Sequence, residues 1–169
     1  MVDTAGLSTA DHETVAAQLG RVPRGAIGVA HRCPCGAPDV VETAPRLPDG
    51  TPFPTTFYLT CPRLAGLLST AEASGLMREM TERLASDASV AAGYEAAHQD
   101  YLERRAALGE VPEIDGVSAG GMPTRVKCLH ALAGHALAAG PGINAFGDEA
   151  LAGAGDWWQR GPCVAPERP

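Results

Sequence analysis

Residues 120–135, GGMPTRVKCLHALAGH, gather a glycine pair, a proline, two cations, one cysteine and two histidines. Thiolate and imidazole are the donors that zinc takes most readily, usually four around one ion at about 2.0–2.3 Å. The stretch offers Cys128, His130 and His135, and the other thiols are Cys33 and Cys35 in RCPCG, Cys61 in LTCP and Cys163 near the end. Seven residues of helix span roughly 10 Å, so Cys128 and His135 cannot share an ion. Cys128 meets His130 only if it sits in an irregular first turn. Cys33 and Cys61 end predicted strands, and Cys128 opens a predicted helix. The expectation is a closed, structural zinc site of Cys33, Cys61 and Cys128, with Cys35 or His130 as fourth ligand.

The same stretch admits two other chemistries. Free N–H groups at a helix start attract anions. Gly120 and Gly121 before a helix at Pro123, with Arg125, Lys127 and an approaching Arg32, would cradle a phosphate. That suits an enzyme or sensor for a phosphorylated small molecule, although no Gly-x4-Gly-Lys-Ser/Thr loop is present. Alternatively, Cys128 between Lys127 and His130 has the cationic surroundings that make a thiolate nucleophile, without a Cys-x5-Arg loop. Gly-x-Ser-x-Gly, His-Glu-x2-His and dinucleotide fingerprints are absent, so enzymatic activity stays open. His98 shares a helix with Tyr94 and Tyr101 and is expected to pack against them. His12, His31 and Cys163 carry no expected role.

These residues need a frame. Residues 8–19 form an expected helix capped by Ser8 and ended by Gly20. Three strands follow, in RGAIGVAHRC, DVVETAPRL and residues 55–60, joined by short turns such as Asp49-Gly50. Short connections favour an antiparallel sheet, and strands one and three of a meander end at one edge. After Cys61 the pattern turns helical. Pro62 suits a first turn, Leu64, Leu67, Leu68 and Ala71 share a face, and Gly75 interrupts before Leu76, Met80 and Leu84. Asp87 caps a long helix to about Leu108, with Val90, Tyr94, Ala97 and Tyr101 as its seam. A further helix is expected from Pro123, and a short one after Asp148 holding Trp157 and Trp158. Strands first and helices later make an α+β fold, a small three-stranded sheet covered by a helical C-terminal half.

With 169 residues the chain is expected to be one domain over residues 1–160, with a flexible tail over 161–169. The net charge of −7 argues against a general nucleic-acid binder. Twelve of the thirteen cations are arginine, and Lys127 is the one lysine. The N-terminus lacks the basic start and apolar core of a signal peptide, and no apolar run reaches membrane-spanning length. A cytoplasmic chain is expected, in which cysteines read as thiols or metal ligands before disulfides.

The segments RCPCGAPDVVETAPRLPDGTPFPTTFYLTCP, GLMREMTERLASD and SAGGMPTRVKCLHALAGHALAAGPGINAFGDEAL resemble the actinobacterial proteins grouped as domain of unknown function 501, over about residues 22–158. The resemblance implies no catalytic residue. It implies that the Cys35 position need not be cysteine and that the Cys61 position can be histidine. Genes of that family tend to lie beside those for a septum formation initiator, enolase and an exopolyphosphatase. That neighbourhood implies a housekeeping or regulatory role and favours a phosphate-containing ligand. An interaction module of cell division is the remaining expectation, with Glu95, Asp100, Glu103 and Arg104 on the long helix meeting a protein partner.

Overall fold

A computed structural model describes residues 6–164. Helix α1 (Thr9–Leu19) begins where the Ser8 hydroxyl accepts the Asp11 N–H at 3.1 Å. It stops at Gly20, whose left-handed φ of 69° ends the helical path without steric cost. Strands β1 (Ala26–Arg32), β2 (Pro38–Thr43) and β3 (Phe57–Leu59) form one antiparallel sheet in the order β1-β2-β3. Val41 of β2 sits opposite Val29 of β1 and Tyr58 of β3. Because β1 and β3 run the same way, Cys33 and Cys61 follow them at the same edge. The β1–β2 turn is closed by the Cys33 N–H donating to the Ala37 carbonyl at 2.9 Å.

With the helices that follow the sheet, the fold is α+β, as expected. Pro62 opens α2 (Pro62–Ala73), Gly75 at φ 86° separates it from α3 (Leu76–Ser86), and Asp87 caps α4 (Ala88–Ala106) by accepting the Ser89 and Val90 N–H groups. Helix α5 (Leu129–Ala139) is apolar on nearly every side and buried at Leu129 and from Ala131 to Ala136. It is the central helix, lying against all three strands and against α2 and α6 (Ala145–Ala154). Phe57 and Leu59 join Val40 in the core beneath it. Val41 and Tyr58 line a cleft on the opposite sheet face, which α1 partly covers. Two glycines set the close approaches. A Cβ on Gly134 would stand 2.8 Å from the Phe57 carbonyl oxygen, and one on Gly147 of α6 would collide with the Leu132 carbonyl of α5.

Three helix boundaries differ from expectation. The helix expected from Pro123 starts at Leu129, because Gly120 and Gly121 take φ of 67° and 92° and fold residues 120–124 into turns. Those turns use the backbone donors: Thr124 and Arg125 N–H donate to the Gly121 carbonyl, and Lys127 N–H donates to the Gly120 carbonyl at 2.7 Å. The last helix starts at Ala145, where Asn144 accepts the Gly147 N–H at 3.0 Å, and Trp157 and Trp158 lie beyond its end at Gly155. The long helix ends at Ala106, short of Leu108.

Buried polar side chains tie the loops to this frame. Arg105 is almost wholly buried and donates to the carbonyls of Val117 at 2.6 Å and Ile114 at 2.7 Å. The Tyr101 hydroxyl accepts the Thr56 N–H at 2.7 Å. His98, expected against tyrosines, bonds the Ser118 hydroxyl at 2.7 Å. Only the first part of the expected tail falls within the described residues. There Arg63 donates to the carbonyls of Gly161 and Pro162. Residues 165–169 lie outside them. No described helix is long and apolar enough to cross a membrane.

Candidate metal centre

Cys128 is the N-cap of α5 and its backbone is extended, with φ −150° and ψ 110°. It therefore lies just outside the helix, and the two-residue offset that would separate it from His130 on a regular helix does not apply. His130, one residue into α5, turns toward α2. There its Nδ1 lies 2.6 Å from Glu72 Oε1 and its Nε2 lies 3.0 Å from the Ala65 carbonyl oxygen. The Leu129 N–H donates to the other Glu72 oxygen at 3.4 Å. The donor atoms of Glu72, Cys128 and His130 all fall within 4.8 Å of one another. Among the described residues this is the one trio of histidine, cysteine and acidic side chains so gathered.

The electrostatics follow from that contact. The Cys128 hydrogen bond raises the His130 pKa, burial opposes it, and the Glu72 carboxylate adds to the rise. Burial pushes the Cys128 thiol up, but His130 and the Ala131 N–H outweigh it and bring the pKa below the ordinary thiol value. Negative charge on sulfur and positive charge on imidazole thus stabilise each other. The His130 and Glu72 side chains remain 29% and 21% exposed, so water reaches the trio.

The other expected ligands lie elsewhere. Cys33 and Cys35 flank Pro34 in the β1–β2 turn, and burial pushes the Cys33 thiol up to about 11. Cys61 bonds Cys163. Of the five residues expected around one ion, the fold brings together Cys128 and His130 and leaves Cys33, Cys35 and Cys61 outside that trio. Sequence reasoning missed Glu72 and Cys163. Neither carries a local signature, since each acquires its partner only through the packing of segments far apart in the chain.

The anion-cradle residues are also dispersed. Gly120, Gly121, Arg125 and Lys127 share the turn segment, whereas Arg32 is clamped by Asp11 through two bonds of 2.9 and 3.0 Å. On α4, Asp100 turns inward to the fully buried His135 at 2.7 Å and also accepts from Arg104 at 2.7 Å. Burial lowers the His135 pKa, with Asp100 opposing. His135 stacks on Phe57 and receives the Asn144 amide at 3.2 Å, a core network.

A family model described as protein of unknown function (DUF501) matches residues 29–152. The chain belongs to this family. The DUF501 match spans the sheet from within β1, the trio and nearly all of α6, so the metal candidates are part of the family fold. Neither a curated protein nor a solved structure matches the chain.

Proposed function

We propose that this DUF501 protein binds one zinc ion through Glu72, Cys128 and His130. The observation that carries the reading is the convergence, within 4.8 Å, of a carboxylate from α2 with a thiol and an imidazole nitrogen from the N-cap and first turn of α5. The imidazole is oriented as ligating histidines usually are. Its Nε2–H is held by the Ala65 carbonyl, which leaves Nδ1, 2.6 Å from Glu72, as the lone-pair donor. A mixed sulfur, nitrogen and oxygen set suits zinc, and three protein ligands leave one of four tetrahedral positions for water. Glu72, Cys128 and His130 would hold the ion between α2 and the start of α5, where it would supply Lewis acidity to a bound water. In the metal-free chain, Glu72 accepts from a proton on Nδ1, so binding must release that proton and the one on the Cys128 thiol.

The test is calorimetric titration of the chelator-stripped chain with zinc. One equivalent should bind, with proton release, and more weakly at about pH 6 than at about pH 8. Cys128→Ser, His130→Ala and Glu72→Gln should each weaken it at least about tenfold, while Cys33→Ser should not. Binding that survives Cys128→Ser and His130→Ala together contradicts the proposal.

The lowered Cys128 and raised His130 pKa values also favour a second reading, a thiolate nucleophile paired with an imidazolium. The two readings separate on whether zinc protects Cys128 from alkylation.

A further inference from the structure

The trio leaves unused two neighbouring thiols, Cys61 in the core and Cys163 packed against that core. We infer that Cys61 and Cys163 form a peroxide-sensitive dithiol whose disulfide staples the segment after α6 to the start of α2. Cys61 is the N-cap of α2, directly after β3, and is 1% exposed. Cys163 is half-buried. Two side chains hold it there. The buried Gln18 amide of α1 reaches Cys163 Sγ at 3.3 Å while also donating to the Pro38 carbonyl at 2.7 Å. Arg63, two residues beyond Cys61, holds the carbonyls of Gly161 and Pro162. The contact is therefore built by α1, β2 and α2 together.

The burial difference assigns the roles. Oxidant meets Cys163 first, and Cys61 waits behind it as the resolving thiol. Charge agrees with this order. The hydrogen bond from Cys61 is the main cause that draws the Cys163 thiol down to about 6, with burial opposing, while that bond and burial push Cys61 up. The Cys163 thiolate attacks one oxygen of hydrogen peroxide, forming an S–O bond and breaking O–O. The departing hydroxide takes a proton. The Cys61 sulfur then attacks the Cys163 sulfur, the S–S bond replaces S–O, and the second oxygen leaves as water with the Cys61 proton. Two thiols are oxidised by two electrons, and one peroxide is reduced to two waters. Cys33 and Cys35, separated by a single proline, are the internal comparison. The Cys33 thiol there is pushed up rather than down, which disfavours its thiolate.

The experiment treats the full chain, first stripped of metal, with a small excess of hydrogen peroxide and reads intact mass, a peptide map and Tm. The expected result is loss of two hydrogens per chain, a cross-linked peptide joining Cys61 to Cys163, and a Tm raised by about 5–10 °C that a reductant reverses. Cys163→Ser removes a half-buried thiol rather than a core one, so it should fold normally, keep both hydrogens and show no Tm rise. Cross-linking of Cys33 to Cys35 with Cys61 left free, disulfide-linked dimers, or Cys163 oxidised past sulfenic acid beside a free Cys61 would each overturn the inference.

Discussion

Cys128 and His130 act on each other's protons, and pH reads that coupling directly. A raised His130 pKa means its stabilising charge is present below the unfolded histidine value and lost as pH rises through the folded one. A lowered Cys128 pKa gives the opposite sign, with stability present above the unfolded thiol value and lost as pH falls through the folded one. Alkylation of Cys128 by iodoacetamide should therefore follow a titration shifted below that of an ordinary thiol. His130→Ala should move the curve upward, and a curve that stays put would show that the contact does not stabilise the thiolate. The thiol and imidazole of this pair were legible in the sequence, because few residue types can do this chemistry and they sit two apart. Glu72 was not legible, since a single acidic residue on a helix face looks like any solvated carboxylate until α2 meets α5.

At the scale of elements, α5 positions the site, and β3 and α6 approach it closely at Gly134 and Gly147. Gly147 lets α6 cross α5 against the Leu132 backbone. Gly147→Ala should destabilise the fold by about 2 kcal/mol, measured by urea denaturation, and an unchanged midpoint would contradict so close a crossing. Elements whose ends carry strong local chemistry were readable beforehand, as with Ser8, Gly20, Pro62, Gly75 and Asp87. The start of α5 was not. Pro123 resembles a helix opening, but the turns at Gly120 and Gly121 are selected by contacts with Leu132 and Arg125, which local sequence does not display. Asn144 is a strong cap that a count forward to Asp148 passed over.

Across the whole molecule, the sheet and the helical half meet along α5, and the proposed ion would sit at the end of that helix farthest from Gly140. The α+β order was legible because the period changes from two to 3.6 after Cys61. The grouping of thiols was not, because a shared sheet edge leaves open which strand-end thiol meets which partner. Cys61 meets Cys163 and Cys33 meets Cys35, so the thiols divide among separate places. The proposed metal ion would join α2 to α5 through Glu72, Cys128 and His130. Elemental mass spectrometry of the purified chain beside Cys128→Ser, His130→Ala and Cys61→Ser tests it most directly. About one zinc per chain is expected, lost in the first two variants and kept in Cys61→Ser. No metal in protein prepared without chelator, or metal lost in Cys61→Ser and kept in His130→Ala, would contradict it.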